Sequence, residues 1–235
     1  GRRMIQHFLD GILVGSILSL GAAGLTMVMH ILRFANFSHA ELLSIGAYVA
    51  LVFDKIFKVT MPLMANEIGS LSMTWALILS IIVSMVFTGA SAVVFDWLIF
   101  RRIRAKGDEL SMVFASFGLA LIVRNLIGLI FGLSTKLYSK DIVFATVLSR
   151  DPLLVVKLDQ LAAFFMTLVL MAVIHIVLSR TTFGYSLRAV GENPELAQVN
   201  GINLERTIIS VWIIGGSLAA VAGVFYGLTN QINPM

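Results

Sequence analysis

Phe34 to Tyr48 reads FANFSHAELLSIGAY, and four polar or ionisable residues, Asn36, Ser38, His39 and Glu41, fall within six positions directly between two apolar runs. Each would be costly against lipid, and an ionised glutamate at depth costs at least about 2 kcal/mol unless paired or hydrated. They must face a cavity, water or one another. An interrupted helix suits this composition, because backbone groups freed by the break can join the side chains in lining a path near the midplane. An interfacial turn, with Asn36 or Ser38 capping a helix that starts near Glu41, suits it equally. Spacing alone leaves both readings open.

The rest of the chain makes the bilayer the relevant solvent. Of 235 residues, 58% are hydrophobic and 13% charged, and the mean hydropathy is +0.94, outside the usual range of a soluble domain. Apolar segments run from about Phe8 to Met29, Glu41 to Phe57, Trp75 to Phe95, Ser111 to Leu133, Leu161 to Leu178 and Ile208 to Leu228. A hydrocarbon core of about 30 Å needs roughly 20 helical residues. The sequence therefore predicts an all-α, polytopic helical membrane protein. About six transmembrane segments and a broken or re-entrant region near residues 30–41 would form one domain over 1–235. The second segment is short, and the fourth carries Arg124 near its middle.

The first apolar run follows Arg2 and Arg3 but is too long for a signal core, so it reads as retained. The absence of cysteine excludes a disulfide or thiolate metal site. A net charge of +4 suits contact with anionic lipid and gives no ground for nucleic acid. If Arg101 to Lys106 is cytoplasmic, alternation places the N-terminus outside. The loops then carry eight Lys or Arg on each side, and only the density of RRIRAK favours this orientation.

Gly215, Ala219, Gly223 and Gly227 recur every four residues, with Gly216 and Ala220 alongside. Such a face lets another backbone approach closely, either around a solute route or in ordinary bundle packing. A short echo between Gly15–Gly24 and Gly216–Phe225 is compatible with repeated halves. Arg124 can hold an anionic group of a solute, pair with a buried carboxylate such as Asp96, or snorkel. His39 and Glu41 lack an H-E-x-x-H partner or other ligand set, so neither a metal, a cofactor nor catalysis is expected there.

The second informative stretch is TTFGYSLRAVGENPELAQVNGINLERT, Thr181 to Thr207. Asn193 is a good N-cap, Pro194 fits the first helical position, Glu195 favours the positive helix end and Gly201 supplies a stop. These predict a helix of about two turns over Pro194–Asn200. It is too short to be stable alone in water, so it rests on a partner surface or on the membrane.

The two stretches together resemble the permease family of ATP-driven importers for branched-chain amino acids. Its N-F-A-H-G-E motif is matched by Asn36, Phe37, Ser38, His39, Ala40 and Glu41, with Ser38 and Ala40 departing. Its cytoplasmic loop pattern is matched by Gly184, Arg188, Ala189, Ala197, Gly201, Ile202 and Asn203, while Tyr185 and Ser186 depart. The loop is also similar to ribose and nucleoside permeases of the same superfamily, and the earlier insert favours the amino acid branch.

The resemblance implies a membrane-spanning subunit of the bacterial inner membrane, its N-terminus outside, that alternates access beside a second permease subunit, the same or a sister chain. Cytoplasmic ATPase subunits would drive it and a periplasmic or surface solute-binding protein would supply it. Coupling to the ATPase would run through Arg188, Asn193, Pro194, Glu195, Ala197, Gly201 and Asn203. The substrate pathway would include Asn36, Phe37, Ser38, His39, Glu41, Gly215 and Gly216. The sequence has no G-x-x-x-x-G-K-[ST] phosphate loop, so ATP hydrolysis is expected in a partner chain. The alternative is a passive channel or ion-coupled carrier for a small polar solute, urea or an amide, which would use the same polar insert. Family members continue with further membrane segments past an equivalent of Ile232-Asn233-Pro234, so the chain is expected to be C-terminally incomplete.

Overall fold

A computed structural model of the chain describes residues 2–69, 71, 73–107, 109–138, 145–150, 153–230 and 232. Lys140, one of the eight cations that the loop alternation puts outside, and Asn233 and Pro234 lie outside the described residues. Helix α1 spans Arg2–Leu32 and α2 spans His39–Thr60, followed by a short 3-10 helix, Pro62–Ala65. Helix α3, Trp75–Phe95, opens where the Thr74 hydroxyl accepts the Leu77 N–H. It continues through a π-helical turn, Asp96–Phe100, into the short α4, Arg101–Arg104. In that turn the Arg101 N–H donates to the Asp96 carbonyl, five residues back instead of four. Helix α5 covers Glu109–Phe131. An antiparallel hairpin of β1, Ala145–Arg150, and β2, Leu153–Lys157, leads into α6, Leu158–Arg180. The last three helices are α7, Thr182–Glu192, α8, Pro194–Val199, and α9, Leu204–Thr229.

Among the described residues five helices are long and apolar enough to cross a membrane: α1, α3 with its extension to Arg104, α5, α6 and α9. The polytopic helical architecture read from the sequence is thus the architecture found. The second expected segment forms α2, 22 residues long. It carries Glu41, Asp54, Lys55 and Lys58, which sets it apart from those five by charge. Three of those charges are matched within the fold, Glu41 by Arg124 of α5 and Asp54 with Lys58 of the same helix, each at 2.8 Å.

Helix α9 is the centre of the bundle. In its most apolar window 72% of the residues are buried within the chain, against 11% for α6 at the rim. Helices α1, α2 and α3 all pack on it. Its small residues make this approach feasible: a Cβ on Gly223 would overlap the Leu43 carbonyl, and one on Gly46 would overlap the Ala220 backbone. Because lipid tails are as apolar as leucine, such backbone-close packing is the main cohesion available between these helices. Toward one end, Trp212 of α9 stacks on Phe100 at 5.4 Å between centroids, and Phe100 meets Phe34 at 5.1 Å. Each aromatic pair is worth about 0.5–1.5 kcal/mol beyond its burial.

That end, called here the basic end, holds Arg33, α4, α7, α8 and the start of α9. At the opposite end the Tyr138 hydroxyl donates to the Ala47 carbonyl, and Lys136 and Ile232 exchange backbone hydrogen bonds. The hairpin falls in the Thr135–Gln160 connection, for which the sequence reading proposed no element.

Candidate functional site

The polar stretch begins as α1 ends. Arg33 adopts φ +55°, an unfavourable left-handed conformation for a residue with a Cβ. Its guanidinium donates to the carbonyls of Gly191 at 2.9 Å and Glu192 at 3.0 Å, fixing it to α7. The chain then climbs back into the bundle. Phe37 donates its N–H to Ser116 Oγ at 3.1 Å, and Ser116 lies seven residues into α5, about 10 Å along its axis. His39 Nε2 lies 3.1 Å from the carbonyl of Gly21, eleven residues before the end of α1, or about 16 Å along it. The break therefore lies inside the bundle.

Asn36 Oδ1 accepts both the N–H of Ser38 at 3.1 Å and its hydroxyl at 2.6 Å, closing an Asx turn. Ser38 occupies the N-cap position of α2, but its side chain makes no capping bond. Capping by Asn36 or Ser38, one of the two sequence readings, is replaced by this turn. Asn36, Ser38, His39 and Glu41 are all buried. Phe37 is exposed and meets Phe117 edge-on at 6.2 Å. Since a carbonyl only accepts, His39 carries its proton on Nε2. Its Nδ1 and the amide Nδ2 of Asn36 have no hydrogen-bond partner among the described residues.

Glu41 lies in the first turn of α2, where its Oε1 receives Arg124 Nε at 3.0 Å and Nη2 at 2.8 Å. The carboxylate named from sequence as a possible partner for Arg124, Asp96, is bound instead by Arg104 at 2.9 and 3.3 Å. The reason is position: Asp96 opens the π-helical turn toward the basic end, whereas Arg124 is fifteen residues into α5. Beside the Glu41–Arg124 pair lies a cleft of about 360 Å³ lined by Leu18, Leu43, Ala47, Gly223, Tyr226 and Ile232 among others. Gly215 and Gly216 do not line it. Gly215 abuts Gly24 and Val28 of α1, and Gly216 abuts Thr88, Gly89 and Ala92 of α3.

At the basic end α8 spans Pro194–Val199, one residue shorter than expected. Asn193 Oδ1 accepts the Leu196 N–H at 3.0 Å, Pro194 opens the helix, and Gly201 closes it at φ +83° with its N–H on the Gln198 carbonyl. Ala197 is buried, whereas Glu195, Leu196 and Val199 are exposed. Asn203 caps α9 by accepting the Arg206 N–H at 2.9 Å. Arg188 lies on α7, donating to the Leu178 carbonyl at 2.6 Å with its guanidinium 5.1 Å from the Tyr185 ring. Six of the seven expected coupling residues thus share one short stretch, with Arg188 on the neighbouring helix.

A cleft of about 740 Å³ separates the α8–α9 junction, including Gln198, Gly201 and Asn203, from Asp96 and Arg104 of the π turn and α4. Arg101 and Glu205 bridge it at 2.8 Å. The sequence reading missed α7 and this bridge. Among the described residues no three His, Asp or Glu side chains converge as a metal set.

Comparison with known proteins bears on this arrangement. The chain is 29% identical to the high-affinity branched-chain amino acid transport permease BraD of Pseudomonas aeruginosa, covering 98% of this chain and 73% of that protein. It is 26% identical to the corresponding permease LivH of Salmonella typhimurium, covering 96% of this chain and 72% of LivH. A shorter match, 35% identical over 26% of the chain and 16% of the relative, reaches the nucleoside permease NupB of Lactococcus lactis. No solved structure matches. The model of one family, described as the branched-chain amino acid transport system permease component, matches residues 7–235. The helical bundle with its polar break, read with that match over almost its whole length, belongs to the branched-chain amino acid transport system permease family.

Proposed function

We propose that the chain is the membrane-spanning subunit of an ATP-driven importer for branched-chain or other hydrophobic amino acids. It works beside a second permease subunit, the same or a sister chain, in a bacterial inner membrane with its N-terminus outside. Cytoplasmic ATPase subunits dock at the basic end, and a periplasmic or surface binding protein delivers the solute. The observation that carries this reading is α8. A six-residue helix is marginal in isolation, yet this one is capped by Asn193, anchored by Ala197 and closed by Gly201 while Glu195, Leu196 and Val199 stay exposed. That is a prebuilt ledge for a partner surface.

Displacement of the ledge has routes into the bundle. Arg101–Glu205 ties α9 to α4, and Arg33 ties α7 to the polar turn. The solute route follows Asn36, Phe37, Ser38, His39 and Glu41, with Gly215 and Gly216 as the faces on which α1 and α3 shift against α9. Arg124 and Asn125, exposed midway along α5, are too costly to face acyl chains, which supports a second membrane subunit or an aqueous path on that side.

The test is recovery of the tagged chain from gently solubilised native membranes, with mass identification of what co-purifies and an ATPase assay. A nucleotide-binding subunit that is retained by the natural chain and lost when Pro194–Val199 becomes a flexible linker is the expected result. An intact chain that arrives alone, and moves solute in sealed vesicles without nucleotide, would establish a passive carrier instead.

A further inference from the structure

We propose that Glu41 and Arg124 form the binding site for the charged head of a zwitterionic α-amino acid. The ammonium group sits on Glu41 Oε2, the carboxylate on Arg124 Nη1, and the side chain in the adjoining apolar cleft. The geometry of the pair points to this use. Both guanidinium contacts of hydrogen-bond length, from Nε and Nη2, fall on the same oxygen, Oε1. A closed two-by-two fork, the stronger arrangement for arginine and carboxylate, would have used both oxygens. Here one oxygen of the acid is not held by the arginine, and the Nη1 donors of the arginine are not used by the acid. The exposure is also lopsided: the Glu41 side chain is 4% exposed and that of Arg124 53%. The acid is fixed in the protein while the base opens outward.

The cleft selects the ligand by charge. Its volume of about 360 Å³ is in the lower range of small-molecule sites. Glu41 and Arg124 are the charged residues of its lining; the remainder is apolar or weakly polar, including Leu18, Leu43, Tyr226 and Ile232. A ligand of a single charge would satisfy one member of the pair and leave the other unmatched at depth, which is expensive. A neutral molecule carrying both signs satisfies both. Because Glu41 is on α2 and Arg124 on α5, 83 positions later, a ligand held on Oε2 and Nη1 adds a second link beside the direct bridge. Occupancy thereby ties α5 to α2.

The assignment rests on the amino acid reading above, but not on the docking of an ATPase, since binding needs no nucleotide. The test is therefore direct binding of radiolabelled L-leucine to the purified permease complex in lipid nanodiscs, without nucleotide or binding protein. Competition uses leucinamide, which lacks the carboxylate, and isocaproate, which lacks the ammonium. Each should compete at least about tenfold more weakly than leucine, because each loses one charge-assisted contact. Arg124→Gln should lower leucine affinity to the level of leucinamide, and Arg124→Lys should restore part of it.

Equal competition by all three compounds, or no leucine binding by the natural complex, would overturn the site. The comparison of ligands needs no mutant, so it stands even if Arg124→Gln fails to insert. ATP-dependent leucine uptake that is unchanged in Arg124→Gln removes the site and leaves the importer. Leucine binding that discriminates as expected, in a complex without nucleotide-dependent uptake, keeps the site and removes the importer.

Discussion

Gly46 and Gly118 differ only in what surrounds them, and that difference sets what each tolerates. A Cβ at Gly46 would overlap the Ala220 backbone, while one at Gly118 meets nothing within 4 Å. Gly46→Val should lose most of its folded, monodisperse protein on detergent chromatography, with an overpacking cost of about 1–3 kcal/mol or more. Gly118→Val should elute as the natural chain does. At Gly201, φ of +83° makes any Cβ unfavourable, so Gly201→Ala should loosen the end of α8 by about 1 kcal/mol. Asn193→Ala should do so by a similar amount at its start. Both are read as faster amide exchange in α8 with no change elsewhere. Gly201→Pro and Glu195→Arg should uncouple ATP hydrolysis from uptake while insertion persists; coupled uptake in both would remove the docking role.

Individual residues were also where the sequence said least about partners. The polarity of Asn36, Ser38, His39 and Glu41 required burial away from lipid, and they are buried. That Glu41 would meet Arg124 depends on how α2 and α5 lie side by side, which no local spacing encodes.

The elements divide by whether their determinants are local. Helix α8 was legible because Asn193, Pro194 and Gly201 act on their immediate neighbours. Helix α7 was not, because Gly184 and Gly191 are poor helix formers by local propensity. In the fold they serve close approach, one to the Leu178 carbonyl and the other to the His30 ring. The π turn was equally hidden, since an extra residue within a helix leaves no compositional trace. It does leave a geometric one. An alanine inserted between Phe100 and Arg101, where ordinary α-helix resumes, would rotate α4 by about 100° relative to the π turn. Both Arg104–Asp96 and Arg101–Glu205 depend on that phase. The insertion should abolish ATP-driven uptake while the amount of inserted protein, measured by immunoblot of washed membranes, stays near normal. Uptake at the natural rate would show that the phase of α4 is irrelevant.

In the molecule as a whole, apolar runs sufficed to place the spanning helices, because length and hydropathy are properties of single segments. Which helix occupies the middle is a relation among segments, and only the four-residue spacing of small residues from Gly215 to Gly227 hinted at it. The central position of α9 bears on how the protein is made. A ribosome releases α1 to α6 into the membrane before the helix on which α1, α2 and α3 are assembled. Until residue 204 emerges, the partners of Gly24, Leu43 and Gly46 do not exist, and nascent helices must be sheltered by the insertion machinery or by one another. A chain ended at residue 203 should enter the membrane and then be degraded, and supplying residues 204–235 as a separate segment should restore its lifetime in a pulse-chase experiment. This part of the bundle is built from its rim inward, so surveillance of its quality must wait for α9 to arrive.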